Sequence, residues 1–189
     1  EKLMVKSASK YGELKKQLNW QEIQDKLKDN EVALEFLQYH RKDTMEETRY
    51  AVLLLRSGLK QPKFIPLFEE KSLDSLFHSQ SDRKADYVNS LYTLIDRGAI
   101  AIEAPKRSLY EILWQPLEKE LSGVKTIYFS PSGLLHRINL DAIPISETET
   151  LADKYQLIEL GSTRQLVIPI KINETNNVAL LFGGIQFEQ

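Results

Sequence analysis

Apolar and polar positions alternate along Glu31 to Leu37 (EVALEFL). Val32, Leu34 and Phe36 fall on one face and Ala33, Glu35 and Leu37 on the other, which is the two-residue period of a strand. Arg49 to Arg56 (RYAVLLLR) is apolar on both faces between two arginines. That pattern predicts a central strand covered on both sides. Lys63 to Leu67 forms a shorter run. Pro62 and Pro66 put it at an edge or an end, because proline has no N–H to give to a ladder. The polar residues 39–48 read as a hairpin loop, and the short links predict an antiparallel meander. Val124 to Phe129, Lys154 to Leu160 and Val178 to Phe182 (VALLF) are the later strand candidates.

Helical spacing separates these strands. In residues 1–18, Leu3, Tyr11, Leu14 and Leu18 share one face among Lys and Glu. Asn19 with Glu22 reads as a capping box over a short helix bearing Trp20, Ile23 and Leu27, ended by Lys28-Asp29-Asn30. Leu73 to Phe77 makes a helical turn. Lys84 to Asp96 places Val88, Leu91, Tyr92 and Ile95 on one face, and Gly98 stops it. Ser108 with Glu111 caps a helix whose buried face is Leu109, Ile112, Leu113, Leu117 and Leu121. Pro116 is expected to kink or split that helix by removing a hydrogen bond. Ser162 with Gln165 resembles a further capping box, over a short helix ended by Pro169.

The stretch Val124 to Pro144 organises the whole. After its strand, Ser130-Pro131-Ser132-Gly133 turns the chain. Leu134, Leu135, Ile138, Leu140 and Ile143 return as an apolar cluster, expected near the centre of one sheet. Strands mixed with intervening helices predict an α/β fold: a mixed β-sheet flanked by helices, the Val124 and Val178 strands being parallel members.

Composition narrows the functional classes. With 42% hydrophobic and 28% charged residues over 189 positions, the chain can bury a core. A formal charge of −2 gives no overall basic field for nucleic acid or acidic lipid. No apolar run reaches the roughly 20 residues of a membrane helix. There is no cysteine, hence no disulfide and no thiol nucleophile in these residues, which fits a reducing, cytoplasmic setting. The beginning, Glu1-Lys2-Leu3-Met4, carries no signal-peptide pattern and looks excised from something longer.

Candidate chemistry is sparse. Ser132, His136 and Asp141 contain the residue types of a hydrolase triad. However, S-P-S-G lacks the first glycine of a nucleophile elbow, and Pro131 stiffens the turn. His40 with Asp43, Glu46 or Glu47 could imitate a metal pair, although a solvated loop is the simpler reading. Glu69-Glu70 reads as exposed charge. Gly183-Gly184 lacks the remainder of a phosphate loop, and Pro105-Lys106-Arg107 is a small basic cluster without interleaved aromatics. Trp20, Tyr110 and Trp114 read as core or interface residues. No catalytic, metal or cofactor residue is assigned.

The order of the pieces nevertheless resembles a known family. SLYEILWQPLEKEL (Ser108 to Leu121), TIYFSPSGLLHRINLDAIP (Thr126 to Pro144), LADKYQLIELGSTRQL (Leu151 to Leu166) and VALLFGG (Val178 to Gly184) follow the pattern of CHAT domains, and EVALEFLQY (Glu31 to Tyr39) is similar to their opening strand. The resemblance implies a caspase-like α/β fold, kinship with clan-CD cysteine peptidases, and a position after tetratricopeptide repeats. It further implies that residues 1–18 link to those repeats, that 19–177 form the N-terminal pseudo-caspase-like part, and that 178–189 begin the protease half. The family's His and Cys lie in that half, so none of its catalytic residues can be placed here. The expected role is regulatory scaffolding, with the downstream protease half, the upstream repeats and other proteins as partners, and neither nucleic acid nor membrane. An adaptor without enzymatic function is the alternative, and a serine hydrolase using Ser132 a remote one.

Overall fold

The computed structural model describes residues 18–41, 44–78 and 108–168. Five strands form one mixed sheet: β1 (Glu31–Arg41), β2 (Thr44–Arg56), β3 (Lys63–Glu69), β4 (Thr126–Ser130) and β5 (Gln156–Glu159). Their spatial order is β3-β2-β1-β4-β5. The β1–β2 and β2–β3 pairs are antiparallel, which is the expected meander, whereas β1–β4 and β4–β5 are parallel. The fold is therefore α/β, with a sheet that changes character at β1.

Helices α1 (Trp20–Gln24), α2 (Glu70–His78) and α3 (Leu151–Lys154) accompany the sheet. The Asn19 capping box is formed: Asn19 Oδ1 accepts from Glu22 N–H at 2.9 Å and Glu22 Oε1 accepts from Asn19 N–H at 3.4 Å. The Ser108–Glu111 box is present as well. The helix that follows is divided at the proline. Tyr110–Trp114 is wound as a π-helical turn and Gln115–Leu121 as a 3₁₀ helix, because Pro116 has no N–H for a continuous α ladder.

Alternation sorts the side chains between two faces. On the inner face Val32, Leu34, Tyr50, Val52, Leu54, Ile127 and Phe129 meet Leu73 of α2, the Leu109–Leu121 face, and the return through Leu135, Ile138, Leu140 and Ile143. The apolar return after β4 thus packs against the sheet interior, as its sequence predicts. On the outer face a smaller cluster unites Leu27, Ala33 and Leu55 with Trp20, Ile23, Tyr128 and Leu166.

Several expectations need correction. Residues 39–48 are not simply a loop. β1 runs to Arg41 and β2 starts at Thr44, with Tyr39 paired to Arg49 and His40 to Thr48. A polar two-stranded ribbon can extend past the sheet, because its backbone groups satisfy each other while its side chains stay solvated. β2 is not covered throughout on both sides, since Leu53 on its outer face is 38% exposed. α2 starts at Glu70, earlier than Leu73. α1 stops at Gln24, so Leu27 is buried from a turn. β5 is preceded by a helix unseen in the sequence pattern, α3, capped by Thr150 and Asp153. At the final turn Ser162 Oγ accepts from Arg164 N–H, while the Gln165 side chain accepts from Gly161 N–H at 2.9 Å. The capping box expected there is replaced by two separate bonds. The expected helix at 84–96, the strand at 178–182 and the segment 1–17 lie outside the described residues. No helix among the described residues is long and apolar enough to cross a membrane.

Candidate functional site

Because β1, β4 and β5 are parallel, their C-terminal ends share one edge of the sheet. The chain leaves β1 toward β2 and β3, and leaves β4 toward β5 on the opposite side. In open α/β sheets such an edge is where ligands and catalytic groups gather. Two polar clusters stand there, one on each face.

The inner cluster centres on Tyr50, which is fully buried. Its hydroxyl donates to Glu70 Oε2 at 2.9 Å and accepts from Gln38 Nε2 and from Leu134 N–H, each at 2.9 Å. Gln38 Nε2 also donates to Glu70 at 2.9 Å, and Phe68 stacks on the Tyr50 ring at 4.9 Å. One phenol therefore ties β1, α2 and the turn after β4 to β2. Burial raises the Tyr50 pKa above the ordinary 10.0, and the Glu70 carboxylate adds to the rise; the donors from Leu134 and Gln38 oppose it. The folded-state pKa is raised, so this contribution to stability is complete below pH 10.0. It is lost as pH climbs from there through the folded value.

Gly133 makes the arrangement possible. Its φ is +56°, and a Cβ there would lie 2.4 Å from both Gln38 Nε2 and Tyr50 Oη. The turn predicted from S-P-S-G thus lies directly on the phenol.

The outer cluster centres on Glu35. Its Oε2 accepts from Thr163 N–H at 2.9 Å and from Thr163 Oγ1 at 2.5 Å. Ser130, opposite Glu35 in the parallel register, donates to Gly161 O at 3.3 Å. This pair of contacts ties the loop after β5 to β1 and β4. Both clusters spend their polar atoms on holding loops to the sheet edge.

Replacing Tyr50 by Phe removes the acceptor for the half-buried Leu134 N–H and leaves Glu70 with only the Gln38 donor of this cluster. The expected loss of stability is about 1–3 kcal/mol. Hydrogen exchange at the Leu134 amide reads the effect directly. Its protection should collapse while the amides of β1 and β2 near Val52 stay slow.

The sequence candidates for chemistry do not converge. Ser132 precedes the Gly133–Arg137 turn and its side chain makes no cap there. His136 is exposed on that turn, and Asp141 is exposed on a separate one, its N–H held by Asn139. No hydrogen bond joins the three among the described residues. A fluorophosphonate probe is accordingly expected to leave Ser132 unlabelled, and labelling there would restore the serine-hydrolase reading. His40 is exposed and Glu47 is engaged with Arg49 and Lys71, while Asp43 and the Glu46 side chain lie outside the described residues. No group of three potential ligands is placed to hold a metal among the described residues. Pro105-Lys106-Arg107 and Gly183-Gly184 also lie outside them. Trp114 is buried in the core beside Tyr155, Trp20 belongs to the outer cluster, and Tyr110 is half-buried with its hydroxyl on Glu118.

Nothing in the sequence pattern singles out Tyr50 or Glu35. Their partners stand 12, 20, 84 and 128 residues away, beyond any local spacing rule. The one local signal is the glycine of the turn. Neither a protein-family model, nor a curated protein, nor a solved structure matches this chain.

Proposed function

We propose that this chain is the N-terminal scaffolding part of a CHAT-type, caspase-like cysteine peptidase whose catalytic His and Cys lie outside these residues. The observation that carries the reading is the sheet itself. An antiparallel meander feeds parallel strands β1, β4 and β5 in the order β3-β2-β1-β4-β5, and the polar groups at the shared strand ends are used to fix loops. A rigid edge of this kind is suited to supporting a neighbouring catalytic unit and to passing on movement from an upstream region by packing.

These residues contain no thiol, so cleavage must come from elsewhere. The test is complementation. The segment following Gln189 in the parent protein is produced separately and mixed with this chain. Stable association with alkylator-sensitive peptide cleavage is expected. Association without cleavage would favour an adaptor, and no association would overturn the proposal.

A further inference from the structure

The hydrogen bonds around Tyr50 run in one direction, and a single carboxylate sets it. A phenol has one proton and two lone pairs. At Tyr50 the proton goes to Glu70 Oε2, and the lone pairs accept from Gln38 Nε2 and Leu134 N–H, each bond being 2.9 Å long. The oxygen is fully used. Gln38 Nε2 gives its second proton to the same Glu70 oxygen at 2.9 Å. Two of the three groups around the phenol are therefore donors, and only the carboxylate can take the phenol's proton. Without Glu70 that proton faces donors alone. Either it competes with Leu134 N–H at the phenol oxygen, or Gln38 turns its amide over to accept it and gives up its own donation. Tyr50 cannot move aside, because it is fully buried and stacked on Phe68.

The groups that meet at this oxygen belong to elements far apart in the chain. Glu70 is the first residue of α2. Leu134 lies in the 3₁₀ turn Gly133–Arg137. The N–H groups of Leu135 and Ile138 bond locally, to Ser132 O and Leu135 O at 3.1 Å, whereas Leu134 N–H reaches across to β2. We propose that the Tyr50 phenol is a coupling joint between α2 and this turn. The turn is held closed while Glu70 is docked, and an event that draws the start of α2 off the sheet edge also frees the turn. The two sites communicate because both bias one set of hydrogen bonds, with no contact between Glu70 and the turn required. Linkage makes the coupling reciprocal, so a loosened turn weakens the hold on Glu70. The inference rests on these contacts alone and does not depend on the peptidase reading.

Residue-resolved hydrogen exchange on the full chain tests this. The amides of Leu134, Leu135 and Ile138 report the turn, each read relative to the Val52 amide so that a general loss of stability cancels. Glu70→Ala is expected to lower relative protection of the turn by about fivefold or more, the effect of losing one charge-assisted bond. Glu70→Gln keeps an acceptor oxygen and should retain most of the protection. Lys71→Ala, the next position of α2, removes a side chain paired with Glu47 at 3.6 Å and should leave the turn unchanged. In a Tyr50→Phe background the joint is already cut. There Glu70→Ala should alter Leu135 and Ile138 by less than about twofold, since the two positions no longer share a partner. Four outcomes would overturn the proposal. They are a turn unchanged by Glu70→Ala, an equal loss from Lys71→Ala, Glu70→Gln as harmful as Glu70→Ala, or a full Glu70→Ala effect that persists with Phe at position 50.

Discussion

Gly133→Ala is expected to destabilise the protein by about 2–5 kcal/mol, far more than a glycine-to-alanine change normally costs. Two penalties combine. A positive φ costs an L-residue roughly 1–2 kcal/mol, and forcing a methyl into a filled site costs about 1–3 kcal/mol. The Cβ would fall 2.4 Å from the Tyr50 hydroxyl and 2.4 Å from Gln38 Nε2. Gln38 lies at the surface and can swing away, but Tyr50 is fully buried and stacked on Phe68. The turn must therefore lift, breaking the Leu134 N–H bond to the phenol. Gly123 provides the control. Its φ is +76°, and a Cβ there would meet nothing within 4 Å, so Gly123→Ala carries the backbone penalty alone, roughly 1–2 kcal/mol. Urea unfolding of both variants reads the difference. Equal losses would mean that the turn does not rest on Tyr50.

Trp114→Ala should be more damaging still, at about 3–5 kcal/mol. Trp114 is 1% exposed in the inner core, with its ring 5.8 Å from that of Tyr155. Its side chain joins the divided helix to the segment leading into β5. The indole N–H finds no hydrogen-bond partner among the described residues, and that decides the companion prediction. Trp114→Phe opens a smaller cavity but also removes a buried, unsatisfied donor, two effects that oppose each other. Its stability should stay within about 1 kcal/mol of the parent chain. If Phe proved as harmful as Ala, the N–H would have a partner that these contacts do not contain.

The parts of the fold legible in the sequence are those set by local chemistry. The period-two run at Val32–Phe36 and the apolar run at Arg49–Arg56 report strands. Pro62 and Pro66 report an edge, and Pro116 reports a broken helix. The capping boxes at Asn19 and Ser108 form because each needs only a three-residue spacing. What escapes depends on partners distant in sequence. The polar ends of β1 and β2 look like a loop because nothing local shows that His40 will pair with Thr48. α3 escapes because four residues provide no helical period, although Thr150 and Asp153 cap it. The exposure of Leu53 is hidden by its apolar neighbours, since composition cannot tell which face has a cover. At the sheet edge, Gly133 is visible as a turn residue, but the phenol it lies on is not. The tempting Ser132, His136 and Asp141 are close in sequence, and closeness in sequence does not align them.

The central claim, that these residues support a cysteine peptidase whose reacting groups lie elsewhere, is tested most directly on the intact parent protein. It would be treated with an electrophilic peptide probe that traps active-site thiols, followed by mapping of the labelled peptide. The account predicts one alkylator-sensitive cysteine, labelled C-terminal to Gln189, with labelling weakened by Gly133→Ala although that residue touches no reacting atom. A parent protein that takes up no probe at any cysteine would contradict it.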